Sequence, residues 1–334
     1  MAPGMRLFVS CLLVLLFMTA TAVAQTTFMD LWCEYGGKEC TGTAPRASAK
    51  PAAPVQQIQP HPQQATPIRK GAPLITRDAA PSQSKGVTFG RYYALVIGNN
   101  RYPNLTNLKT AITDAKEVTK TLKGQYGFSV TTLINATRDD IITALDEYRK
   151  ILKAEDNLLI YYAGHGWLDG ESERGYWLPV DADKTTRARW VSNADVTDTL
   201  KALKAKHVMV VADSCYAGTL TRSADPDLDG MRGLKLTEKP AGYLETLTNR
   251  KSRTVLSSGA LEPVSDQGGG QHSVFAHAFL KSLKDNRDLM DGTQLFTKVR
   301  AQVLLNARQT PQYSNIRFAG HDVGGDFIFL RRDQ

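Results

Sequence analysis

The sequence predicts an α/β domain on a mostly parallel sheet, covered on both faces by helices. Two observations carry this. From Tyr92 onward, short runs of β-branched, aromatic and aliphatic residues alternate with stretches of helical periodicity. The runs are also apolar almost throughout, as expected of strands buried on both faces.

Tyr92 to Ile97 reads as the first buried strand, and Leu108, Ile112, Ala115 and Leu122 then fall on one helical face. Phe128 to Ile134 is the second strand. Thr137-Arg138-Asp139-Asp140 has the form of a capping box with Asp in place of Glu. It opens a helix whose apolar side is Ile141, Leu145, Tyr148 and Leu152. Leu158 to Tyr162 is the third strand, Val196 to Lys204 a helix, and His207 to Ala212 the fourth strand. Thr254 to Ser257 and Phe327 to Leu330 follow as further strands.

The regions before this domain read differently. Met1 to Ala24 has one early basic residue, Arg6, an apolar run from Leu7 to Met18, and small residues ending Ala22-Val23-Ala24. That is the layout of a cleaved signal peptide, the alternative being an uncleaved N-terminal anchor. The expected mature chain starts near Gln25, is exported to a periplasmic or secreted location, and has no stable membrane insertion. Residues 25–40 form a short segment in which Cys33 and Cys40 are placed for a small disulfide loop. Residues 41–86 hold eight of the fifteen prolines with much Ala and Gln, and read as a disordered linker. The domain proper is assigned to residues 87–334, about 250 residues, enough for one large core.

The formal net charge is +8. Much of the excess lies in the linker, where Arg46, Lys50, Arg69, Lys70, Arg77 and Lys85 face only Asp78. The domain carries no basic block interleaved with aromatics, which argues against a nucleic-acid partner. No Gly-rich phosphate loop follows the first strand, which runs into Gly98-Asn99-Asn100-Arg101.

The chemistry is expected beyond the carboxyl ends of the strands. Strand three runs out into Tyr162-Ala163-Gly164-His165-Gly166, and strand four into Asp213-Ser214-Cys215-Tyr216-Ala217-Gly218. If these strands are neighbours, their tips lie roughly 5 Å apart, close enough for a thiol and an imidazole to cooperate. Cys215 is then the nucleophile and His165 the general base that raises its thiolate fraction and later protonates the leaving amine. The backbone N–H groups of Gly166 and Cys215 are the candidate oxyanion hole.

These two segments, about fifty residues apart as in caspases, resemble those of the caspase-like cysteine peptidases, metacaspases and their bacterial relatives above all. Ala94-Leu95-Val96-Ile97-Gly98-Asn99, Leu178-Pro179-Val180-Asp181, His272-Ser273-Val274-Phe275 and Gly325-Asp326-Phe327-Ile328-Phe329 add to the resemblance, which covers Tyr92 to Leu330. It implies a caspase-like three-layer sandwich with a mostly parallel central sheet. It further implies a cysteine endopeptidase acting on proteins or peptides and, as in metacaspases, a monomer.

Asp213, two residues before the nucleophile, is similar to the metacaspase arrangement, in which that aspartate and one from the first helix line the S1 pocket. The matching helix position is Asp114. Two converging carboxylates favour a cation between them, which implies cleavage after Arg or Lys. A third pocket position, serine in some metacaspases, is Ala163 here. Residues 219–253 read as a polar loop with Arg222, Arg232, Lys235, Lys239, Arg250 and Lys251, a candidate region for self-cleavage. Within it, Asp225, Asp227 and Asp229 copy the first half of an EF-hand loop, but Leu236 stands where the closing glutamate belongs. They are weak calcium candidates, and no cofactor is required. His207, His272, His277 and His321 have no zinc-ligand spacing. The alternative reading is a catalytically silent binding or scaffolding module of the same fold.

Overall fold

In the computed structural model, residues 75, 80–84, 87–214, 242–259 and 270–332 are described. The chain enters through a small antiparallel pair, β1 (Ser82–Ser84) and β2 (Val87–Gly90). The first of these lies inside the stretch read as linker.

The central sheet follows. Its members are β3 (Tyr92–Gly98), β4 (Ser129–Ile134), β5 (Asn157–Ala163), β9 (His207–Asp213), β10 (Ser252–Ser257) and β12 (Gln312–Asn315). They run in the order β12-β10-β9-β5-β3-β4. All neighbours pair in parallel except β12, which is antiparallel to β10 at the edge. Every residue of β3, β5 and β9 is buried, so their unbroken apolar composition is what a sheet covered on both faces requires.

Alternation along each strand sorts the core into two layers. One face carries Tyr92, Ala94, Val96, Leu159, Tyr161, Met209 and Val211. It is covered by α1 (Ala111–Tyr126), α5 (Val274–Asp285) and α6 (Gly292–Asn306). The other carries Tyr93, Leu95, Ile97, Leu158, Ile160, Tyr162, Val208 and Val210, and is covered by α2 (Arg138–Ile151) and α3 (Asn193–Ala202). Complete burial of Phe275 and Phe279 from α5 contributes about 1.5–3 kcal/mol each.

Local chemistry sets the helix starts. Thr137 and Asp140 form the reciprocal capping box at α2, with Thr137 N–H donating to Asp140 Oδ2 at 2.9 Å. Helix α1 begins at Ala111, so Leu108 packs against the core from the preceding loop. Gly98 ends β3 directly beneath α1. A Cβ there would stand 2.6 Å from both the Ala111 carbonyl oxygen and the Ala115 Cβ, so only glycine lets the first turn of α1, with Asp114, cross the strand end so closely.

Several strands, β12 and β11 (Leu289–Asp291) among them, fell outside the pattern read from sequence. After β5 the chain makes an antiparallel three-stranded sheet, β6 (His165–Asp169), β7 (Arg174–Leu178) and β8 (Val191–Ser192). The segment expected as a last strand is β13 (Ile328–Leu330), which leaves the central sheet to pair antiparallel with β11. The polar loop also ends earlier than residue 253. Helix α4 (Tyr243–Asn249) precedes β10, Lys251 N–H donates to Asp322 at 2.8 Å, and the Arg250 guanidinium donates to the Val323 carbonyl. No helix among the described residues is long and apolar enough to cross a membrane.

Candidate active site

Strands β5 and β9 are hydrogen-bonded parallel neighbours, with Ala163 opposite Asp213 at their carboxyl ends. The two segments singled out in the sequence therefore leave the sheet side by side. Cys215 itself, together with Asp225, Asp227, Asp229, Cys33 and Cys40, lies outside the described residues.

His165 opens β6 immediately after the β5 tip. Its Nε2 is 2.7 Å from the Thr106 carbonyl oxygen. A carbonyl only accepts, so Nε2 carries a proton, and in the neutral ring Nδ1 is then the lone-pair nitrogen, the tautomer a general base needs. The backbone is held as firmly. His165 N–H donates to the Tyr102 hydroxyl at 3.0 Å, and the single Tyr162 O–H proton is shared between the carbonyls of His165 (2.8 Å) and Leu178 (3.0 Å). The Tyr102 ring packs on the imidazole at 4.7 Å between centroids. Gly164 is required between them, because a Cβ there would stand 2.7 Å and 2.8 Å from the Tyr162 and Tyr102 hydroxyl oxygens. Gly166 follows in β6, opposite Trp177.

Asp114 and Asp213 meet on the other face of the sheet. Asp213 continues the Met209–Val211 side of β9, and Asp114 sits in the first turn of α1; they are 7% and 1% exposed. Ser273 joins them. Its hydroxyl donates to Asp213 Oδ2 at 2.5 Å and its N–H donates to Asp114 Oδ2 at 3.3 Å. The same hydroxyl oxygen accepts from Ala276 N–H as the N-cap of α5, and the helix N-terminus adds favourable positive potential beside the carboxylates.

His272 Nδ1 lies 2.6 Å from Asp114 Oδ1. Burial holds this imidazole below its ordinary range, and its Nδ1–H donates to the Asp114 carboxylate. Beneath the pair is Tyr161, fully buried, whose hydroxyl has no hydrogen-bond partner among the described residues. Burial first, and then the Asp213 and Asp114 carboxylates, hold its phenol well above the usual range, so it remains an O–H donor. Ser273 thus brings two buried carboxylates to one place, and carboxylates held together favour a cation between them. Among the described residues, no group of three His, Cys, Asp or Glu is arranged to hold a metal ion.

Several of these participants were missed from sequence. Thr106 acts through its carbonyl, which no side-chain pattern reveals. Ser273 had a readable signal, a serine directly before the apolar run Val274-Phe275-Ala276, but that signal announces a helix cap and not a bridge between carboxylates.

Comparison with known proteins agrees with this architecture. The family model described as Caspase domain matches residues 91–319. Mucosa-associated lymphoid tissue lymphoma translocation protein 1 of Homo sapiens is 36% identical over 96 residues, covering 28% of this chain and 11% of that protein. Metacaspase-1 of Meyerozyma guilliermondii is 26% identical over 154 residues, covering 39% of this chain and 36% of that protein. Metacaspase-1B of Aspergillus fumigatus is 25% identical over 311 residues, covering 72% of each. The chain thus spans 11% and 36% of the lengths of the first two. Among solved structures, caspase-1 from Spodoptera frugiperda has 15% identity and a TM-score of 0.47, covering 67% of this chain and 86% of that one. With the domain match running through β3, β5 and β9 and both strand tips, the chain belongs to the caspase-domain family of cysteine-type peptidases.

Proposed function

We propose that this protein is a cysteine endopeptidase that uses Cys215 and His165 and cleaves after Arg or Lys. The observation that carries the reading is the His165–Thr106 pairing, which commits Nε2 as donor and leaves the Nδ1 lone pair as the base at the β5 tip. In the reaction, Nδ1 takes the thiol proton and the thiolate attacks the scissile carbonyl carbon. The oxyanion is held by the N–H groups of Gly166 and Cys215. Collapse breaks the C–N bond, and the imidazolium returns its proton to the departing amine. Water, deprotonated by the same nitrogen, then attacks the thioester and frees the thiol.

The P1 cation is held between Asp114 and Asp213, oriented by Ser273 and with the Tyr161 hydroxyl beneath. A planar guanidinium suits two carboxylates better than a point ammonium does, so Arg is the preferred residue. The protein is exported, acts as a monomer, and processes itself at a basic residue within 219–253.

The full chain and its Cys215→Ala variant are to be compared on reporter peptides with Arg, Lys or Asp at P1, with and without calcium. Cleavage after Arg and Lys that is lost in the variant is expected. Cleavage after Asp would discard the acidic pocket and keep the peptidase. The absence of any Cys215-dependent cleavage would leave a silent module of the same fold.

A further inference from the structure

We infer that the surface beyond His165 on its own strand is a subsite for the leaving part of the substrate, and that it takes an aromatic or large apolar side chain against Trp167. The inference rests on the peptidase reading.

The general acid must deliver its proton to the departing amine, so the leaving fragment lies on the imidazole side of the scissile bond. The sheet separates the two sides. Asp114, Asp213 and Ser273 stand with α1 and α5 on one face, whereas β6 and β7 lie over the other, where Trp177 joins the core with α2 and α3. A side chain in the acidic pocket and a side chain on the β6 surface therefore belong to opposite ends of one bound peptide.

On β6, residues two apart share a face. His165, Trp167 and Asp169 are such a series, and Trp167 lies opposite Tyr176 of β7. The step from His165 to Trp167 is about 7 Å, the reach of the first two residues after the scissile bond of an extended peptide. Trp167 is 49% exposed, and a single exposed aromatic would mean little. Trp167 is not isolated. Its ring packs on Trp190 at 6.3 Å between centroids, and Trp190 packs edge-on against Tyr176 at 5.3 Å. The far margin is closed by Arg187, which pairs with Asp169 at 2.8 Å and donates to the Tyr176 hydroxyl at 3.3 Å. The result is an aromatic shelf with the imidazole at one end and an ion pair at the other. It suits a flat or bulky apolar side chain, and its inner margin adjoins the place where the leaving amine must be.

The test uses the full chain and peptides with Arg at P1, varied among Phe, Trp, Leu, Gly and Asp at the first and second leaving positions, with kcat/KM read by separation of the fragments. The wild type is expected to favour an aromatic over Gly at one of these positions by about tenfold. In Trp167→Ala this ratio falls to within about twofold of unity, and in Trp167→Phe about half of it survives. Equal rates for all leaving residues in the wild type, or a preference retained by Trp167→Ala, would overturn the subsite while leaving the peptidase intact. Failure of every peptide to be cleaved in a Cys215-dependent way overturns the peptidase reading and the subsite with it.

Discussion

The Ser273 hydroxyl lies 2.5 Å from Asp213 Oδ2, and the same serine presents its N–H to Asp114. One residue therefore sets the separation of two carboxylates from distant parts of the chain while also capping α5. In Ser273→Ala the Asp213 oxygen loses this donor and the helix loses its cap. Stability is expected to fall by about 1–3 kcal/mol, and kcat/KM for an Arg substrate by about 10- to 100-fold. Ser273→Thr keeps both hydrogen bonds and should restore most of both. If Ser273→Ala loses stability but cleaves Arg and Lys peptides as before, the serine is only a cap.

Gly164 is the second point at which one atom decides the geometry. A methyl group there meets the hydroxyls of Tyr162 and Tyr102 at once. Tyr162 cannot retreat, being buried and stacked on Trp177 with ring centroids 4.6 Å apart. Gly164→Ala should therefore displace Tyr102 and free the His165 N–H. The expected cost is about 1–3 kcal/mol of stability and about 100-fold in kcat. Adding Tyr102→Phe removes one of the two colliding oxygens and should recover part of the loss. Strictly additive losses in the double variant would place the collision elsewhere.

The sheet could be read from sequence because its strands are buried on both faces and need an uninterrupted apolar run, as in Leu158 to Tyr162 and His207 to Ala212. The capping box at Thr137 could be read because its partners are three residues apart. β6 escaped because Trp167, Leu168 and Asp169 mix exposed and half-buried positions without a clean period, and β7 because its buried run is short and opens on a glycine. Of the site, His165 followed from residue type at a strand end, and Asp114 and Asp213 from the resemblance to metacaspases. Thr106, Tyr102 and Tyr161 did not, since a backbone carbonyl and two tyrosines acquire their roles only when separate elements are brought together.

A last prediction concerns two buried groups whose pH dependences oppose each other. His207 sits at the start of β9, its Nδ1 2.7 Å from Asn157 Oδ1 and its Nε2 3.1 Å from the Leu247 carbonyl. The Asn157 amide donates to the Phe89 and Arg91 carbonyls, which fixes its oxygen toward the ring. Burial pulls the imidazole down to about 4, against the oxygen acceptors at its two ring nitrogens, which favour the charged form. Between its unfolded value of about 6.5 and that value, the unfolded chain binds a proton that the folded chain refuses. Stability from His207 is therefore present above pH about 6.5 and lost as pH falls toward 4, by roughly 3 kcal/mol. Asp326 runs the other way. Burial, and then the charge of Asp291, raise its carboxyl above the usual range, with the Tyr313 hydroxyl and the Phe327 and Thr293 N–H groups partly offsetting the shift. Here the folded chain holds a proton that the unfolded chain releases above about pH 4, so this contribution is present in acid and lost as pH rises through the raised value. Urea midpoints of the full chain between pH 4 and 7 separate the two. Relative to wild type, His207→Gln should make stability fall more, or rise less, with increasing pH in that window, and Asp326→Asn should make it rise more. If both variants keep the wild-type slope, neither group is held away from its ordinary value by the fold.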